Sequence, residues 1–118
     1  MGMVYALVGA HFVGDFLCQS DWMALNKSKH WGALGAHVLV YAAPLMVALL
    51  FFRPLPNAAL FLVVNVGAHF VQDAVTSRIN ARLWQANERH WFFVGIGADQ
   101  LLHYVTLFAT AQWWLEVA

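Results

Sequence analysis

Gly9-Ala10-His11-Phe12-Val13-Gly14-Asp15 and Gly67-Ala68-His69-Phe70-Val71-Gln72-Asp73 are one seven-residue block with a single substitution, at an offset of 58. Both copies lie in apolar surroundings, and in both a His precedes an Asp by four residues. That spacing puts the two side chains on one helix face. The leading tripeptide recurs twice more, as Gly35-Ala36-His37 and Gly97-Ala98-Asp99, the last followed by His103 four positions on. Four greasy stretches therefore each offer imidazole or carboxylate at one point. Ionisable groups inside membrane-spanning segments are rare and usually functional.

The rest of the chain sets this pattern in a membrane. Of 118 residues, 62% are hydrophobic and only 10% charged, with a mean hydropathy of +0.62. A soluble domain carries roughly a quarter charged residues. Net charge is zero, so no general affinity for nucleic acid is implied. The lone Cys18 excludes an internal disulfide. No basic stretch or clear cleavage site precedes His11, so the first segment reads as a retained helix rather than a signal peptide.

Hydrophobicity and helix breakers divide the chain into spans at Met3–Gln19, Trp31–Phe52, Asn57–Leu83 and Trp91–Leu115. A span needs about twenty residues, and the first reaches that length only by running on into Asp21–Met23. Pro54 and Pro56 separate the second from the third, and Pro44 predicts a kink inside the second. Lys27, Lys29, Arg78, Arg82 and Arg89 fall on one side and Arg53 on the other. The positive-inside rule makes the first side cytoplasmic and both termini extracytoplasmic. Trp22, Trp31, Trp84 and Trp91 flank the two basic loops, with Trp113 and Trp114 at the far face, as in an aromatic belt.

Each half thus holds a His-x-x-x-Asp helix, a basic loop ending in His-Trp, and a second helix opening with Gly-Ala-ligand. The expected fold is all-α: one membrane domain over residues 1–118, a four-helix bundle built from repeats 1–52 and 57–118. An even number of spans separates the copies, so the pseudo-twofold relating them runs along the membrane normal. Helices 1 and 3 are expected to cross near Gly9 and Gly67, the small residues letting backbones approach closely. Asp15, His37, Asp73 and Asp99 all fall roughly 10–17 Å from the basic loops at 1.5 Å per residue, so they can meet.

The candidate ligands are His11, Asp15, His37, His69, Asp73, Asp99 and His103. Four imidazoles and three carboxylates exceed the needs of one tetrahedral ion. They suit two divalent ions with positions open to water, and a set without thiolate fits Zn, Mn or Fe. Three carboxylates and one hydroxide would balance two such cations. A metal-free His–Asp hydrogen-bond network is the competing reading. A polar stripe, Asn65, His69, Asp73, Ser77 and Asn80, leads from the site toward the basic side, where Lys27, Arg78 and Arg82 could hold an anionic head group. Tyr41 shares the face of His37 and is a candidate donor to substrate or ligand.

The stretches AHFVGDFLCQSDWMALNK (10–27), GAHVLVY (35–41), HFVQD (69–73) and DQLLH (99–103) resemble a family of small bacterial and phage membrane proteins known as domain of unknown function 3307. The resemblance covers nearly the whole chain. It implies an inner-membrane, multi-pass location. It also implies that Gln19, Asn26, Lys27 and Gln100 belong to the site or its surroundings. Tyr41 stands where the family pattern has a second polar residue, often His. The family supplies no activity.

Function therefore rests on the residues. The first expectation is a metal-dependent hydrolase attacking an ester or phosphoester of a lipid-like substrate, with Asp15 and Asp73 as catalytic carboxylates. The alternatives are a di-iron oxidase, an ion or proton transporter or channel using the same cluster, and a haem protein with His11 and His69 as axial ligands. The expected partners are the lipid bilayer and the lipid-like substrate; a homo-oligomer stays open, since four helices are few for a channel.

Overall fold

The computed structural model describes residues 1–114, which are mostly helical with no strand among them. Helix α1 spans Gly2–Phe12 and runs directly into a π-helical turn, Val13–Leu17. The wide turn is closed by Cys18 N–H donating to the Val13 carbonyl at 2.8 Å. The chain breaks at Cys18–Ser20 and restarts as α2, Asp21–Asn26, where Ser20 Oγ accepts the Met23 N–H as an N-cap. Helix α3 spans Trp31–Leu50, α4 Leu55–Gln85 and α5 Arg89–Trp114. The Pro54–Pro56 stretch starts α4, where a missing N–H costs nothing. Asn87, at φ 61°, makes the left-handed residue that ends it.

Three helices, α3, α4 and α5, are long and apolar enough to cross a membrane, while Gly2–Leu17 is a shorter apolar helix. The first expected span thus stops at Leu17 instead of continuing into Asp21–Met23. The π turn and the polar Gln19-Ser20-Asp21 run end it. By contrast the second copy of the block sits in an unbroken helix of 31 residues. At 1.5 Å per residue α4 is about 46 Å long, beyond the roughly 30 Å hydrocarbon core. Helix α3 continues through Pro44. The expected end of the last span, Leu115, lies outside the described residues.

Neighbours follow a ring: α1 packs on α3, α3 on α4, α4 on α5, and α5 returns to α1. Helices α1 and α4, which carry the two copies of the block, are diagonal rather than adjacent. The expected crossing near Gly9 and Gly67 is therefore not what brings the copies together. Open space surrounds the β-carbon position at Gly9, Gly35, Gly67 and Gly97, so these glycines do not mediate close packing. Gly14 does: a β-carbon there would lie 2.8 Å from the Tyr41 carbonyl oxygen.

The interior has two levels. One end is apolar, with Leu7, Leu45, Leu49, Phe61 and Leu107 in one cluster. The other end is polar: His11, Asp15, His37, His69, Asp73 and His103 are all buried. The outward faces are the reverse, exposing Leu39, Val47, Val63, Val71, Leu101 and Val105. Trp22, Trp31, Trp84, Trp91 and Trp113 are exposed too, so none of them is a core residue.

Candidate metal centre

The seven ligand-type side chains reach the interior from five elements. His11 comes from the end of α1, Asp15 from the π turn, His37 from α3, His69 and Asp73 from α4, and Asp99 and His103 from α5. The π turn is the local departure that aims Asp15 inward, and such turns recur at functional sites.

Four of them converge on one point. His37 Nε2 lies 3.0 Å from Asp15 Oδ1 and 3.0 Å from Asp73 Oδ2. His69 Nε2 lies 3.2 Å from His37 Nε2, 3.4 Å from Asp15 Oδ1 and 3.6 Å from Asp73 Oδ2. Four atoms on a tetrahedral ion with bonds near 2.0–2.1 Å stand about 3.3–3.4 Å apart. The five separations bracket that value. The two longest exceed the range of a good N–H···O bond. Two carboxylate oxygens and two imidazole nitrogens so close need protons or positive charge among them. Lys27 supplies part of it, its Nζ donating to Asp73 Oδ2 at 3.0 Å.

The other candidates join Asp15 and Asp73 in two further groups, His11–Asp15–His103 and Asp73–Asp99–His103, each able to hold a metal ion, as is the first. The two aspartates link them. Asp15 turns Oδ2 toward His11 Nε2 at 3.6 Å, and Asp73 turns Oδ1 toward His103 Nε2 at 3.3 Å. Neither ring nitrogen of His103 is aligned in a hydrogen bond with a described protein group, and Nδ1 of His37 and of His69 has no such partner. A buried imidazole with nitrogens facing carboxylates but not bonded to them suits a ligand aimed at a cation between the groups.

Hydrogen bonds steady the rest. Tyr41 OH donates to His11 Nδ1 at 3.4 Å, and His11 Nε2 donates to Gln100 Oε1 at 3.1 Å. Gln100 Nε2 donates to Asp15 Oδ2 at 2.8 Å. His11 is thus the ligand most engaged elsewhere. Asp99 accepts from Thr76 Oγ1 at 2.5 Å and faces His103 Nδ1 at 3.5 Å. The ring of His69 lies between Tyr41, stacked at 4.0 Å, and His103, at 4.2 Å.

A cavity of about 750 Å³ opens onto this cluster. Asp15, Asp73, Asp99, Gln100 and Thr76 line its polar side, Lys27 and Lys29 add positive charge, and Leu25, Trp84, Phe92, Phe93 and Ile96 form apolar walls. Of the sequence's candidates for contact with substrate, Lys27 and Gln19 line the cavity. Tyr41 is buried behind His11 and His69. Arg78 and Arg82 are absent from the lining: Arg78 lies over the Trp31 ring at 4.2 Å and donates to the Ala74 carbonyl, and Arg82 is exposed. Asn26 bonds back to the Trp22 carbonyl. Thr76 escaped the sequence reading because the stripe traced from His69 and Asp73 in steps of four passes beside it.

The chain belongs to the family described as Protein of unknown function (DUF3307), which it matches over residues 3–118. No curated protein and no solved structure matches it.

Proposed function

We propose that this protein is a membrane-embedded, dinuclear metal-dependent hydrolase acting on a lipid-like ester or phosphoester. Convergence of Asp15, His37, His69 and Asp73 at separations suited to a tetrahedral ion carries this reading. Asp15 and Asp73 would each offer one oxygen to the four-residue group while turning the other toward His11 and His103 respectively. His37 and His69 would hold the first ion with them, and His103 would hold the second beside Asp73 Oδ1. Zn, Mn or Fe fits such a set. The metal supplies Lewis acidity and lowers the proton affinity of water. Asp99, on the cavity wall, would accept a proton from water there, and Lys27 would turn its remaining donors to the substrate.

The membrane assignment rests on the polar interior and apolar exterior. Four apolar segments form the bundle, with α1 and its π turn as a short fourth span. The diagonal placement of α1 and α4 is the arrangement that a pseudo-twofold along the membrane normal requires of the two repeats. The basic loops face the cytoplasm of a bacterial inner membrane, with both termini outside.

The test is metal analysis of protein purified without chelator, paired with hydrolysis of alkyl and alkyl-phosphate esters. Two transition-metal equivalents and ester cleavage lost on chelation are expected. Iron with a visible charge-transfer band would select a di-iron oxidase instead. Full activity in metal-free protein, or no metal uptake at all, would overturn the reading, the latter in favour of an ion- or proton-conducting His–Asp network.

A further inference from the structure

We infer that the cavity beside the metal cluster binds an anionic amphiphile with a single hydrocarbon chain, its head group toward Lys27, Lys29 and the metal ligands. This inference rests on the hydrolase reading and names its substrate class.

Three observations converge. First, the cavity is two-sided. Asp73, Asp99 and Gln100 line it together with the apolar Leu25, Trp84, Phe92, Phe93 and Ile96. Apolar walls with a few convergent polar groups are the usual make-up of a ligand site. Second, its size is bounded. About 750 Å³ lies within the roughly 300–1,000 Å³ range of pockets that take one drug-sized ligand. That holds one chain and a head group.

Third, charge selects the head group. Three carboxylates, Asp15, Asp73 and Asp99, and two ammonium groups, Lys27 and Lys29, line the space. The formal balance is one negative charge, and a single divalent ion reverses it. Lys27 spends one donor on Asp73, and an ammonium has three. A metal-loaded cavity therefore attracts anions, and the chain-binding walls are independent of metal. The depth agrees: Ser77, Asn80 and Trp84 lie beyond the first twenty residues of α4, so the cavity lies toward the head-group layer.

The test uses dodecyl phosphate brominated on its chain, added to the full chain in phosphatidylcholine nanodiscs. Bromine quenches nearby tryptophan, and Trp84 lines the cavity. With zinc loaded, saturable quenching is expected, and Trp84→Phe should abolish the saturable part. Ala81→Leu, which narrows the cavity, and Lys29→Ala, remote from the cluster's hydrogen bonds, should each weaken binding about tenfold. Brominated dodecyltrimethylammonium should bind at least tenfold more weakly than the phosphate. Equal binding of the two head groups, or unchanged affinity in both Ala81→Leu and Lys29→Ala, would overturn the inference. Zinc content is measured on the same samples. Zinc-loaded protein that ignores the phosphate sinks this inference and leaves the metal centre standing. Protein that takes up no zinc yet binds the phosphate through Trp84 upholds the cavity's ligand and removes the hydrolase.

Discussion

Asp15 and Asp73 are the residues on which the cluster depends, because each faces two groups at once. Each sits one turn from a His of its own helix and meets His37 from another. Asp→Asn preserves shape and some hydrogen bonding while removing charge. Either substitution should lower metal affinity at least ~10-fold, since loss of a group that only supports a ligand already costs 10–100-fold. Asp21→Asn, on the exposed first turn of α2, should leave it unchanged. Equilibrium dialysis with zinc reads the difference. Full metal content in the Asp15→Asn/Asp73→Asn double variant would show that neither carboxylate is a ligand. These aspartates were legible because His-x-x-x-Asp needs only helix periodicity to be read. Thr76 and the hydrogen bonds of Gln100 were not, because their partners come from other helices.

Among elements, the π turn separates the two copies of the block most clearly. Nothing in GAHFVGD against GAHFVQD announces that one copy ends in a wide turn and the other continues a long helix. Gly14 gives the physical reason: the turn lies against the Tyr41 backbone, where only hydrogen fits. Gln72 fills the equivalent position of α4 and instead donates to Thr106 Oγ1 at 2.7 Å. Gly14→Ala should therefore destabilise the protein by about 1–3 kcal/mol, as overpacking does. Gly9→Ala and Gly67→Ala should be neutral or gain up to ~1 kcal/mol from helix propensity. Unfolding of the detergent-solubilised variants tests the contrast. Equal loss in all three would restore the close-packing role that the sequence suggested for the repeated glycines.

At the scale of the whole molecule, a metal held by the cluster would couple to stability. Imidazole must be neutral and carboxylate ionised to ligate, so binding releases protons. Affinity should accordingly fall as pH is lowered, because protons compete with the metal for imidazole and carboxylate. Zinc at a hundredfold excess over its dissociation constant should add about 2.7 kcal/mol of stability, seen as a higher melting temperature. A melting temperature unmoved by chelator, with metal loss confirmed, would count against the centre. Orientation is a second whole-molecule property. A Ser28→Cys variant, made with exposed Cys18 replaced by Ser, should resist a membrane-impermeant thiol reagent in intact cells. Ready labelling would invert the topology.

Composition, breakers and the repeated block were enough to establish an all-helical chain with apolar segments and a shared level of His and Asp. Those features are local: periodicity places a side chain on a face, and hydropathy marks the segments apolar enough to cross a membrane. Which helices adjoin was not local. The ring order that makes α1 and α4 diagonal, the capture of Asp73 by Lys27 and the exclusion of Arg78 from the cavity all follow from packing. The chain could not announce them, because each depends on how side chains from distant segments fill the same space.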